Sequence, residues 1–289
     1  MNSKLIGVYA VIGIIGLAVL WIGGITLSGG FALASRVAVP PSSFDARGGD
    51  VQRGRHLASA VLACTDCHGA DLGGAPFVSG GIGRVAAPNL TSAGIGHAFT
   101  DTDFERAIRH GVAPDGTRLY FMPSAAYAAL SDADLRDVIA YVRSVPGVDR
   151  PTPPREFGFG GRMLAVTHTL PAAADHIDQT APHPASEQPA ATAAYGKYLA
   201  AIAGCFECHG PDLAGGHYGP HGTPRAANLT PAALGTWSQA QFATALRDGR
   251  DPNGRQLDPY MPSKAFAGMN DREIAALYTF LKTVPPVKD

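Results

Sequence analysis

All four cysteines of this 289-residue chain fall in two Cys-x-x-Cys pairs, and each pair is followed directly by a histidine. CTDCHGADL, from Cys64 to Leu72, returns as CFECHGPDL, from Cys205 to Leu213, an offset of 141. Asn89-Leu90-Thr91 returns as Asn228-Leu229-Thr230, and Met122-Pro123-Ser124 as Met261-Pro262-Ser263, both at an offset of 139. FERAIRHG, from Phe104 to Gly111, matches FATALRDG, from Phe242 to Gly249. Offsets that drift by a few residues mark small loop deletions inside a structural repeat. The repeat predicts two domains, 46–150 and 191–286, separated by a proline-rich connector over 151–190. Within that connector the apolar run from Phe157 to Leu170 is expected to pack onto a domain.

Each copy reads as three helices between long loops, an all-α architecture. The first helix precedes the cysteines, over Gly54 to Ala63 and Tyr195 to Gly204. The second opens at Thr100 or Ser238, with Asp103 or Gln241 three residues on, the pattern of a capping box. The third opens at Ser131 or Asn270, again with Asp134 or Glu273 three residues later, and stops before Pro146 or Pro285. Gly and Pro together make 58 residues, which accounts for the loops. No segment alternates well enough to predict a sheet.

A Cys-x-x-Cys pair admits zinc, redox-disulfide and haem-attachment readings. Zinc takes four ligands, usually as two pairs some 15–20 residues apart, whereas here each pair sits alone in its own repeat. A thioredoxin-like motif belongs beside a strand in a βαβ unit, and none is predicted. A two-residue spacer makes a poor structural disulfide. Haem attachment also explains the histidine: two thiols add to the two vinyl groups, and the adjoining imidazole reaches the iron. The expected cofactors are therefore two covalently attached haem c groups, on Cys64, Cys67 and His68 and on Cys205, Cys208 and His209. The remaining axial position falls to Met122 and Met261, two of only five methionines, at the same place in both copies. Core packing is the competing role for a methionine, with Met269 and His110 as substitute ligands. Methionine opposite histidine favours ferrous iron and raises the potential.

Arg84 and Arg225 precede the two Asn-Leu-Thr segments and are candidates for the haem propionates, against a solvated loop role. Asn89 and Asn228 are expected to fix loop backbone. Trp237 and Phe99 line either haem or core, and His56 is read as a packing residue. His217 and His221 lack a nearby carboxylate and make a poor metal site.

From Leu5 to Leu27 there are 23 residues without a charge, about 35 Å of helix, enough for a hydrocarbon core of about 30 Å. Residues 1–35 are thus expected to anchor the chain once in a bacterial inner membrane, Lys4 inside and the haem domains in the periplasm. The alternative is a cleaved signal ending at Ala32-Leu33-Ala34. A net charge of −1 and the lack of Lys/Arg runs exclude a basic nucleic-acid binder.

The motifs Cys-x-x-Cys-His-Gly, Asn-Leu-Thr, a Phe-led helix ending in Gly, and Met-Pro before a final helix resemble class I cytochrome c. More narrowly they resemble the multihaem cytochrome c subunits of bacterial membrane-bound alcohol, aldehyde and gluconate dehydrogenases. The resemblance implies two tandem all-α haem domains with His/Met iron, a non-enzymatic electron carrier of the respiratory chain. Its implied partners are a membrane-bound dehydrogenase or quinol-oxidising complex as donor and a terminal oxidase as acceptor. The chain departs from those subunits in having two haem motifs where three are usual and in the N-terminal position of its anchor. A di-haem peroxidase is the rival enzyme reading, which the paired Met122 and Met261 disfavour because that chemistry needs an open iron face. A haem sensor lacks an attached signalling domain.

Overall fold

The computed structural model describes residues 3–217 and 224–288; His221 and the Lys4 side chain lie outside the described residues. Helix α1 (Ser3–Ala34) is a single 32-residue rod. Its segment Ile6–Ala34 is long and apolar enough to cross a membrane, or to serve as a signal sequence; its most apolar stretch is left uncovered, while its C-terminal part packs against the connector.

The first repeat contains α2 (Val51–His56), a π-helical turn over Leu57–Val61, α3 (Cys64–His68), α4 (Ile95–Ala98), α5 (Asp101–His110), α6 (Ser124–Tyr127) and α7 (Asp132–Ser144). In the connector lies α8 (Phe159–Val166). The second repeat contains α9 (Ala193–Ile202), α10 (Cys205–His209), α11 (Pro231–Leu234), α12 (Gln239–Asp248), α13 (Ser263–Phe266) and α14 (Asp271–Thr283). The helices are capped where the sequence predicts. Thr100, Ser238 and Asn270 each form a reciprocal capping box with the residue three positions on. Ser131 accepts from the Asp134 amide, but the Asp134 carboxylate does not return the bond; it is held by Arg53 and Tyr198 instead.

The purely helical expectation needs one correction. A small antiparallel sheet, in the order β1-β2-β3, forms from β1 (Ala75–Val78), β2 (Gly83–Ala87) and β3 (Glu156–Phe157). Its strands are short and rich in Gly, Ala and Pro, so they carry no period-two hydrophobic signal. Among the described residues, the second repeat shows an isolated bridge, Gly216 to Ala226, at the matching place. Through β3 the connector joins the first repeat. It stays there by further backbone bonds from Phe121 to the Pro171 carbonyl and from Asp132 to the Pro184 carbonyl.

Two helix pairs form the scaffold, α2 on α7 and α9 on α14. Each crossing is made at a glycine: a Cβ on Gly54 would collide with the Asp137 carbonyl, and one on Gly196 with the Ala276 carbonyl. Gly54 and Gly196 stand 142 apart, but the cysteines stand 141 apart, so the first copy carries one extra residue between glycine and motif. The π-helical turn absorbs it, because a π-turn accommodates one more residue than an α-turn in the same rise. Both copies therefore deliver their first cysteine to the same place.

The repeats face one another across an interface with local two-fold character, in which position i contacts j and j contacts i. Tyr198 on α9 donates to the Asp134 carboxylate at 2.6 Å. Its counterpart His56 on α2 meets Glu273, the counterpart of Asp134, at 2.8 Å. His56 is thus an interface residue rather than a simple packing one. Its partner was invisible to a search for local spacing, being 217 residues away.

Candidate cofactor-binding site

In both repeats the Cys-x-x-Cys-His segment forms one turn of helix, entered through a left-handed residue: Ala63 at φ 52° and Gly204 at φ 74°. Glycine takes this conformation freely, whereas Ala63 holds it against a steric cost. None of the four cysteines is in a disulfide. Burial pushes Cys64 and Cys205 up to about 12 and raises Cys67 and Cys208 as well. Such thiols stay protonated, which is the opposite of the depressed, reactive thiolate of a redox centre.

The histidines are oriented by a shared device. His68 Nδ1 lies 2.9 Å from the Pro88 carbonyl, and His209 Nδ1 lies 2.7 Å from the Ala227 carbonyl. A carbonyl only accepts, so Nδ1 carries the proton and Nε2 keeps a lone pair for a metal. Burial lowers the pKa of both imidazoles, more than the carbonyl bond raises it, and so keeps them neutral. The acceptor loops are in turn fixed by the asparagines. Asn89 Nδ2 donates to the Val148 and Arg150 carbonyls, and its Oδ1 accepts from the Thr91 amide and hydroxyl. Asn228 Nδ2 donates to the Val287 carbonyl, and its Oδ1 accepts from the Thr230 amide. Each asparagine directly follows the carbonyl that holds its histidine, which is the physical content of the Asn-Leu-Thr motif.

One cavity of about 1510 Å³ takes in both motifs. A single small-molecule pocket usually spans about 300–1,000 Å³, so this cavity has room for a large cofactor. The walls are matched and apolar: Leu90, Phe104 and Val138 on one side, Leu229, Phe242 and Leu277 on the other. Phe99 and Trp237 line it too. So do Met122 and Met261, each with its Pro, in the same cavity as the histidines. The proposed substitutes lie elsewhere. Met269 is a core residue, 2% exposed, and His110 is bonded to Gln179 and meets the His183 ring edge to face.

Of the two candidate arginines, Arg225 lines the cavity. Arg84 does not: it pairs with Glu156 at 2.5 Å on the outer face of the sheet, and its side chain is 74% exposed. Its place is set by the strand pairing of Arg84 with Glu156, which comparison of the repeats does not reveal. Two arginines that the sequence reading missed face the cavity instead, Arg155 and Arg255. Arg155 lies over the rings of Tyr120 and Phe157 at 5.4 and 5.6 Å. Arg155 comes from the connector and Arg255 aligns with Thr117, so neither has an arginine counterpart that self-comparison could detect. His217 is exposed, and no group of three or more His, Cys, Asp or Glu side chains that could hold a metal ion occurs among the described residues.

Paired thiols and an oriented neutral imidazole in each repeat, with a methionine lining the same apolar cavity, fit covalently bound haem. Consistent with this, the cytochrome c family model matches residues 51–146 and 193–285. The chain belongs to the cytochrome c family, proteins that transfer electrons through covalently bound haem c. It is 29% identical to the fructose dehydrogenase cytochrome subunit of Gluconobacter japonicus, over 85% of this chain and 54% of that protein. It is 32% identical to the gluconate 2-dehydrogenase cytochrome c subunit of Pantoea cypripedii, over 81% of this chain and 59% of that one. A diheme cytochrome c-type protein of Cereibacter sphaeroides is 29% identical over 94% of this chain and 98% of its own length. The chain thus spans little more than half of the two dehydrogenase subunits.

Proposed function

We propose that this chain is a membrane-anchored di-haem cytochrome c that takes electrons from a membrane-bound dehydrogenase or quinol-oxidising complex and passes them, in the periplasm, towards a terminal oxidase. The observation that carries the reading is the duplicated site: two histidines with free Nε2 atoms and two methionines in equivalent positions, in one apolar cavity. In this reading the haem domains occupy 46–150 and 191–286, joined by the connector 151–190, with residues 1–35 as a single inner-membrane span.

Cys64 and Cys67 would hold one haem and Cys205 and Cys208 the other, with His68 and Met122, and His209 and Met261, as axial ligands. When bound, haem supplies a one-electron couple. The chain's own residues set its character. The carbonyl bonds to His68 and His209 keep each imidazole in one tautomer and one orientation, so a change of oxidation state requires little movement. The apolar walls disfavour extra charge on the oxidised centre and so favour the reduced one. Arg155, Arg225 and Arg255 offer permanent positive charge for propionates. Steering by charge is weak, since the first repeat (40–150) carries 10 basic and 12 acidic residues and the second (191–289) carries 9 and 8. Tethering to the partner's membrane compensates by raising local concentration.

The test is purification from native membranes in mild detergent, with mass spectrometry of whatever accompanies the chain. A co-purifying dehydrogenase whose substrate reduces both haems supports the reading. Rapid carbon monoxide binding to the reduced protein, which needs an open iron face, would overturn it in favour of a peroxidase.

A further inference from the structure

Connector helix α8 leaves an apolar stripe uncovered that the cofactor sites do not explain. Its inner face is built for close approach: a Cβ on Gly160 would press on the Gly81 carbonyl, and one on Gly161 on the Ile82 carbonyl. Another side lies along the C-terminal part of α1. There Gly29 abuts the backbone of Arg162, and Arg162 Nη1 donates to the Thr26 carbonyl at 3.0 Å. The Trp21 and Phe159 rings meet edge to face with centroids 5.8 Å apart. Left over are Phe159, Met163 and Val166, at helical spacing and 39%, 37% and 37% exposed.

Helix arithmetic says what meets this stripe. About 20 residues cross a hydrocarbon core of about 30 Å. Counted from the charge at Lys4, the outer boundary falls near Gly24, with Trp21 just inside it, at the depth where aromatic anchors collect. From Ile25 to Ala34 the helix rises roughly 15 Å further, and α8 docks along this collar. Phe159, which touches Trp21, therefore lies at the boundary of headgroups and acyl chains. Arg162 is the only charged residue of α8, and it is turned to the Thr26 carbonyl.

We propose that α8 is a second membrane contact, a short helix whose Phe159 reaches the headgroup–acyl boundary beside α1 while Met163 and Val166 lie in the headgroup layer above it. The proposal rests on the reading of α1 as a retained anchor. One helix alone leaves a domain free to swing, whereas two contacts fix its height and tilt. Since α8 follows directly on β3, which pairs with the cavity-lining β2, the same contact sets how the first site faces the membrane.

The experiment places the full-length haem-loaded protein in phosphatidylcholine–phosphatidylglycerol vesicles containing a lipid with a diazirine high on its acyl chain. After illumination, labelled peptides are mapped by mass spectrometry. The expected result is labelling of both the α1 peptide and the 159–166 peptide, the latter at least tenfold above a peptide containing exposed Tyr260. The double variant Phe159→Glu, Met163→Glu should lower α8 labelling at least fivefold while α1 labelling and haem absorbance stay unchanged. Labelled α1 with unlabelled α8 overturns the proposal and leaves the anchor standing. Absence of label from both, with the chain in the soluble fraction, overturns the anchor reading and the proposal together. Labelling of α8 in vesicles but not in native membranes would mean that a protein subunit covers the stripe, and also overturns it.

Discussion

His68 and His209 illustrate how much a single side chain depends on a residue that never touches the metal. Each imidazole is aimed by one carbonyl, and each carbonyl is held in place by the asparagine that follows it. Replacing Asn89 by Ala should loosen His68 without unfolding the chain. The expected signature is a broadened or shifted absorbance from one haem of two, with the His209 site unaffected; identical spectra for mutant and wild type would contradict the argument. The arginines give a paired prediction. Arg84→Ala removes only an exposed pair with Glu156 and should leave stability and both potentials unchanged within error. Arg155→Ala removes a positive charge from the cavity wall, so oxidised iron is disfavoured less and the first potential should fall in a redox titration. At this scale the sequence was legible wherever a residue has a counterpart in the other repeat. The Cys, His, Met and Asn residues of the cavity and its loops have such counterparts. Arg155 and Arg255 do not, because the repeat has no copy of either.

Among the elements, the two glycine-centred crossings carry the scaffold. Gly54→Ala and Gly196→Ala each force a methyl into a carbonyl of the partner helix, and overpacking of this kind costs about 1–3 kcal/mol. Denaturant midpoints should fall for both, and an unchanged midpoint would mean that the helices separate freely. Thr100→Ala, which removes a capping box, should cost about 1 kcal/mol. Helix starts were readable because a cap and its partner lie three residues apart, within one local window. The sheet was not readable, since β3 comes from the connector and pairs with β2 some 70 residues earlier, through strands with no alternation. The π-helical turn was likewise hidden, although the one-residue difference between the glycine and cysteine offsets recorded it.

For the whole molecule, the interface between repeats sets how the two sites sit relative to one another, and it holds a titrating group. The bond to Glu273 raises the pKa of His56 against the opposing effect of burial. A raised folded-state pKa means stabilisation that is complete below the ordinary histidine value of about 6.5 and is lost as pH climbs through the elevated value. The difference in unfolding midpoint between wild type and His56→Gln, about 1 kcal/mol for a half-buried pair, should therefore be largest in mild acid and shrink in alkali. A difference independent of pH would show that the ion pair contributes nothing. A long apolar N-terminal helix and a twofold repeat could be anticipated from sequence, but the mutual arrangement of the parts could not. It depends on contacts such as His56 with Glu273 and Trp21 with Phe159, between residues more than 100 positions apart.

In the proposed reading each copy of the duplicated site carries one covalent haem. The most direct test is the intact mass and iron content of the chain expressed with a haem c attachment system, beside a Cys205→Ser, Cys208→Ser variant. Two covalent haems and two irons per chain, falling to one of each in the variant, are the predicted result. A single haem in the unaltered chain, or two irons retained after loss of Cys205 and Cys208, would contradict it.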